Sequence, residues 1–189
     1  MQKLRITVVN VCRFVLAATF IFSGYVKAID PLGTLYKLKD YATAMSLNGL
    51  LPDWVLVGVA IALGALEFAL GVFMLFAVRR HVVSRITLAF MTAMTVLTLW
   101  IFVADPVKDC GCFGDALKLT NGETLLKNIV LIACAALVAW RPADMARFIS
   151  RSNQWIVRYY TVAYIVITSV YCLYTLPIFD FRPYHVGMN

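Results

Sequence analysis

Five apolar stretches, at 8–29, 54–78, 83–104, 123–140 and 157–177, constrain this chain more than any other feature of its sequence. Each approaches or exceeds the roughly 20 residues that an α-helix needs to cross a bilayer at about 1.5 Å per residue. Because lipid offers the backbone no hydrogen-bonding partner, stretches of this kind must satisfy their amides internally, which predicts helices. The expected fold class is therefore all-α, an integral membrane helical bundle. Composition agrees: 62% of residues are apolar or aromatic and 14% charged, against about 45–50% and about 25% in ordinary soluble domains. A water-soluble enzyme, a nucleic-acid binder and a disordered chain are excluded as readings, since each needs far more polar surface.

The net charge of +7 is explained by where it falls. Lys3, Arg5, Arg79, Arg80, Arg85, Arg141, Arg147, Arg151 and Arg158 all lie on one side of the predicted spans, with Asp144 the single acid among them. Eight of the ten acids lie on the other side or at its edge, namely Asp30, Asp40, Asp53, Asp105, Asp109, Asp115, Glu123 and Asp180. By the positive-inside rule the arginine-rich side is cytoplasmic, as in a bacterial inner-membrane protein, and the basic excess also grips anionic headgroups. Five spans then put the N-terminus inside and the C-terminus outside. The first span follows Lys3 and Arg5 as a signal peptide would, but it is longer than a signal-peptide core and carries Arg13, so a retained span is expected. Trp54 and Trp100 fall near predicted outer ends, and Trp140 and Trp155 near inner ones, as interfacial anchors.

The outer connections carry the special residues. In the first, Asp30-Pro31-Leu32-Gly33 ends a helix, and Leu35, Leu38, Ala42 and Met45 recur at helical spacing, predicting a short amphipathic helix on the membrane surface. The second contains Asp109-Cys110-Gly111-Cys112-Phe113-Gly114-Asp115. Two cysteines one residue apart can close a very small disulfide ring if the backbone tightens, which Gly111 permits. Such a ring removes little unfolded-state entropy and so makes a weak staple, whereas residual strain makes the bond easier to reduce. The pair therefore reads as a redox couple, with a structural disulfide or an incidental or metal-binding pair as the competing readings. Two cysteines supply only half of a tetrahedral zinc site, and no metal is expected. Lys108, Lys27 and Lys127 would favour thiolate, Asp109 and Asp115 oppose it, and Thr120 with Glu123 has capping-box spacing for the fourth span.

The runs Arg13-Phe14-Val15-Leu16, Phe22-Ser23-Gly24-Tyr25-Val26-Lys27 and Asp30-Pro31 resemble the first helix of the DoxX family of small bacterial membrane proteins. Cys110-Gly111-Cys112-Phe113-Gly114 followed by Lys127-Asn128 is similar to its redox-associated, MauE-like branch. The resemblance implies a four-helix domain over 1–141, related to the vitamin K epoxide reductase-like proteins, that handles thiol–disulfide traffic with a thioredoxin-fold partner. Residues 142–189 would add a cytoplasmic loop, a fifth span and a short outer tail, whose ending from Asp180 to Gly187 resembles Bacteroidota members of DoxX. A quinone serves the related reductases, but this chain contains no Cys-x-x-Cys, so no cofactor is expected. Cys12, Cys134 and Cys172 each lie alone in separate spans; Cys172, nearest the outer surface, reads as a buried structural thiol, with an approach to the Cys-Gly-Cys loop as the alternative, and His81 and His185 sit at membrane edges.

Charges inside the spans are expensive, at about 2.5–3.5 kcal/mol each even on the lenient insertion scale. Counted from the outer helix ends, Glu67 lies about 20 Å down its span and Arg13 about 24 Å down its own, so an Arg13–Glu67 pair is expected, with a proton path through Glu67 as the functional alternative. Two functions remain open. In one, Cys110 and Cys112 exchange disulfides or electrons with an outer thiol–disulfide partner, while Gly111, Phe113 and Gly114 shape the docking loop. In the other, the chain is a non-catalytic subunit of a membrane complex whose disulfide only shapes a loop.

Overall fold

The computed structural model describes residues 2–45, 52–105, 111, 113–114, 116–117 and 119–175. Six α-helices follow one another: α1 (Gln2–Ile29), α2 (Pro31–Ala44), α3 (Asp53–Leu75), α4 (Arg80–Ala104), α5 (Asn121–Trp140) and α6 (Gln154–Tyr174). Short 3₁₀ turns at Pro142–Asp144 and Arg151–Asn153 join α5 to α6, and no strand occurs among the described residues. All but α2 are long and apolar enough to cross a bilayer. The all-α membrane bundle expected from the apolar stretches is thus the fold observed. The chain is a multi-pass membrane protein, and its many exposed apolar side chains, such as Val103, Leu126, Val130 and Ile167, suit a lipid surround.

Helices α1, α3, α4 and α5 form the core. The α1–α3 interface is the most extensive, α4 pairs with α5, and α5 also packs on α1; α6 lies outside this core against α3 and α1. Leu16, Phe20, Leu70, Met74, Met91 and Leu131 fill the centre. The intimacy of α1 and α3 rests on two glycines. A Cβ on Gly24 would stand 2.7 Å from the Gly64 carbonyl oxygen, and one on Gly71 would stand 2.6 Å from the Ile21 amide nitrogen. Both helix backbones approach more closely than any larger side chain allows, the small-residue packing that holds helices together where lipid removes the hydrophobic drive. These contacts also fix the antiparallel register, setting residues 17–28 of α1 against residues 64–71 of α3.

Local signals shape the ends. Proline cannot donate a backbone hydrogen bond and suits the first position of a helix, so the chain breaks at Asp30 and restarts at Pro31, with the Asp30 carboxylate accepting from the Gly33 amide at 2.9 Å. The expected amphipathic helix forms as α2, and it packs along α3, where Lys39 meets Asp53 at 2.8 Å, and more lightly on α1 and α6. At the start of α5 the capping box is complete: Thr120 Oγ1 accepts from the Glu123 amide, and the Glu123 carboxylate accepts from the Thr120 amide at 2.9 Å.

The bundle has two chemically distinct ends. At the basic end, Arg5 pairs with Asp144 at 2.9 Å, Arg80 donates to the Ala143 carbonyl at 2.7 Å, and the Arg79 amide donates to Gln154 Oε1 at 3.2 Å. At the opposite end, called here the loop end, Asn121 donates to Asp105 at 2.8 Å, drawing together the two helices that bound the cysteine-containing connection.

Candidate functional site beneath the cysteine loop

Two polar side chains one helical turn apart on α1, Ser23 and Lys27, face α3 across the glycine-mediated contact. Lys27 Nζ donates to Glu67 Oε2 at 2.8 Å and to Ser23 Oγ at 2.8 Å, and Ser23 Oγ donates to Glu67 Oε2 at 2.6 Å. The Lys27 and Glu67 side chains are each only 3% exposed. At 1.5 Å per residue, Glu67 stands about 12 Å from the Leu75 end of α3 and about 21 Å from its Asp53 end, well inside the span. A charge there persists only if it is paired, and this pair is further hydrogen-bonded by a hydroxyl.

This arrangement corrects the expected Arg13–Glu67 pair. Measuring each residue from its own helix end assumed that α1 and α3 end level. They do not: α1 stops at Ile29, whereas α3 runs on beside α2, so Glu67 faces the last two turns of α1. Arg13 is ten residues, about 15 Å, below Ser23. It is fully buried at the basic end, where its Nη1 donates to the Ala146 carbonyl at 2.5 Å and its guanidinium lies over the Phe14 and Phe148 rings at 4.5 and 5.1 Å. Sequence reasoning thus missed Lys27 as the partner of Glu67. The available signal was the Ser23–Lys27 spacing together with Gly24, which marks the α1 face that approaches α3.

Next to the ion pair lies a small cavity of about 30 Å³, bordered by Ser23, Glu67, Phe113, Lys127, Asn128 and the apolar side chains of α1 and α4. That is room for about two water molecules. Asn128, 3% exposed, donates to Thr98 Oγ1 at 3.1 Å and so ties α5 to α4 beside it. Lys127 places its ammonium 4.1 Å from the centre of the Phe113 ring, and Phe113 meets Phe22 edge-on at 5.4 Å. Phe113 is 8% exposed although it belongs to a loop. It therefore roofs the cavity.

The described residues of the loop rest on this roof. The Gly114 amide donates to the Gly111 carbonyl at 2.9 Å, closing a turn in which both glycines have positive φ, +62° and +55°. Gly111 abuts Lys37 of α2, and Gly114 abuts Val26 of α1. Cys110, Cys112 and Lys108 lie outside the described residues. Of the lysines expected to tune a thiolate, Lys27 is engaged by Glu67, and Lys127 stacks on Phe113. Among the described residues, no three His, Cys, Asp or Glu side chains converge. The three remaining cysteines are free thiols; Cys172 is buried, while Cys12 and Cys134, far apart in sequence, are half-buried neighbours across α1 and α5.

A helical membrane bundle with a buried lysine–glutamate pair beneath the Gly111–Gly114 turn, in a connection whose sequence holds Cys110 and Cys112, defines a class: small multi-pass proteins with a polar core next to a cysteine-bearing connection. The chain matches the family model described as Methylamine utilisation protein MauE over residues 5–141, from α1 to the end of α5, and it belongs to that family. Membership connects it with a membrane-based redox or electron-transfer process. No curated protein and no solved structure matches the chain.

Proposed function

We propose that the protein exchanges disulfides with an extracytoplasmic thiol–disulfide partner, of thioredoxin fold or another, through Cys110 and Cys112, with its basic end in the cytoplasm of a bacterial inner membrane. The observation that carries this reading is the conjunction of two cysteines one residue apart with flanking residues, Gly111, Phe113 and Gly114, that dock against α1, α2 and α5 in a member of a redox-associated family. Residues docked this way give the connection a fixed footing on the bundle, as an exchange site requires.

In one direction, a thiolate of the pair attacks a sulfur of the partner's disulfide; that S–S bond breaks, a mixed disulfide forms, and the partner's other sulfur leaves as thiolate. The second cysteine, once deprotonated, attacks the mixed disulfide and closes the Cys110–Cys112 bond. Two electrons and two protons pass to the partner, which leaves as a dithiol. The reverse sequence oxidises the partner. Each exchange is sulfur chemistry alone, so no cofactor is assigned to it. Lys127 and the Lys27–Glu67 pair supply polarity beneath the loop.

The test is to trap the intermediate. Cys112→Ser and Cys110→Ser variants, each with a single loop cysteine, are expected to accumulate a mixed disulfide with an extracytoplasmic protein, visible by non-reducing electrophoresis and lost on reduction. Intact partner redox cycling in the double serine variant would overturn the proposal in favour of a non-catalytic subunit.

A further inference from the structure

The basic end is more than a scatter of positive charge. Three separate segments converge there on one open hollow of about 420 Å³: the α3–α4 turn brings Arg79 and Arg80, the α5–α6 connection brings Arg147 and Arg151, and the first turns of α6 bring Gln154 and Arg158. No acidic side chain lines it. Asp144, the acid that attracts Arg80 from nearby, is already bridged to Arg5 at 2.9 Å, and Arg147 and Arg151 repel Arg80. Among the described residues, no ion pair neutralises any of the five arginines.

The walls are also fixed in place. Arg80 Nη1 donates to the Ala143 and Met145 carbonyls at 2.7 and 3.3 Å, and Gln154 accepts from the Arg79 amide at 3.2 Å, so each wall is tied to another. The Nε atoms of Arg80 and Arg158 are buried without a hydrogen-bond partner. Topology requires arginines at this end of a membrane protein but does not require them to enclose a space. Guanidinium groups gathered around a hollow match the several acceptor oxygens of a phosphate.

A second feature selects the kind of phosphate. Arg158 also heads an open apolar face of α6 formed by Tyr159, Val162, Ala163, Val166 and Ile167. From Arg158 to Ile167 the helix rises about 14 Å toward the middle of the membrane, the reach of a good part of an acyl chain. A polar hollow at the level where spans begin, continuous through one residue with an apolar helix face toward the bilayer, has the two-part chemistry of a lipid.

We propose that the basic end binds one anionic glycerophospholipid, its phosphate among Arg79, Arg80, Arg147, Arg151 and Arg158 and an acyl chain along this face of α6. The full chain in nanodiscs of equal phosphatidylglycerol and phosphatidylcholine, extracted and weighed by native mass spectrometry, should retain phosphatidylglycerol selectively. Arg151→Gln with Arg158→Gln should weaken that retention by about 30-fold, two arginines each contributing the usual increment of a basic residue at an anionic surface. Ala163→Trp, which places a bulky ring in the middle of that face and spares every arginine, should weaken it while leaving competition by inorganic phosphate unchanged. Should the arginine variant fail to fold, judged by circular dichroism, the Ala163→Trp variant carries the test alone. Equal retention of both lipids by the native chain would overturn the proposal. So would an unaffected Ala163→Trp protein whose lipid is displaced by glycerol phosphate as readily as by phosphatidylglycerol, since the occupant would then be a soluble phosphate compound.

Discussion

Replacing Lys27 by Met should be among the most damaging single changes available in this chain, and adding Glu67→Leu should reverse most of the damage. Both side chains are 3% exposed and share a 2.8 Å contact. Removing one partner leaves an uncompensated buried charge, which costs about 3–5 kcal/mol, whereas apolar residues in place of both are often neutral or better. At about 2–4 °C per kcal/mol for a chain of this size, either single variant should lose about 6–20 °C. The double variant should return to within about 1 kcal/mol of the native protein, limited by the loss of the Ser23–Glu67 hydrogen bond. An internal control exists: Lys39 and Asp53 also meet at 2.8 Å but are 38% and 72% exposed, so Lys39→Met should change stability by no more than about 1 kcal/mol. The assay is SDS-driven unfolding in mixed micelles, followed by far-ultraviolet circular dichroism across the four-variant cycle. Additive losses in the double variant would refute the assignment of Lys27 as the partner of Glu67.

The α1–α3 register gives a second contrast. Gly24→Val should destabilise by about 3 kcal/mol because its Cβ meets the α3 backbone, whereas Gly58→Ala, with nothing within 4 Å of the added atom, should be harmless or slightly stabilising in the same SDS titration. Thr120→Ala breaks the capping box and should cost about 1 kcal/mol, read locally as faster hydrogen exchange at the Glu123 amide. Phe113→Ala removes the roof of the small cavity and the stacking surface of Lys127. It should speed maleimide labelling of the loop cysteines, and an unchanged rate would mean that the ring does not restrain the loop.

Much of the architecture was legible because lipid leaves a chain so few choices. Long apolar stretches had to be helices, Asp30-Pro31 had to interrupt one, and Thr120 with Glu123 announced the start of α5; all three appear in the structure. Expected bounds moved by a few residues, α1 beginning at Gln2 rather than 8, since a helix runs past its apolar part into the interface. What the sequence did not reveal were relations between helices. The partner of Glu67 depends on a register set by backbone contact at Gly24 and Gly71, and no count along a single helix reports it. The same holds for the neighbouring thiols of Cys12 and Cys134, and for the convergence of Arg80, Arg147 and Arg158 on one hollow. Each brings together residues separated by tens to more than a hundred positions, whereas periodicity and motif spacing are local signals.

The sulfur pair itself offers the most direct measurement. In membranes equilibrated against dithiol buffers of graded potential, then alkylated with isotopically distinct reagents, Cys110 and Cys112 should titrate together as one two-electron couple. Their midpoint should lie above about −300 mV, the level below which structural disulfides of secreted proteins typically sit. Cysteines that stay fully alkylatable at every potential, or a bond that survives well below that value, would contradict a role in disulfide exchange.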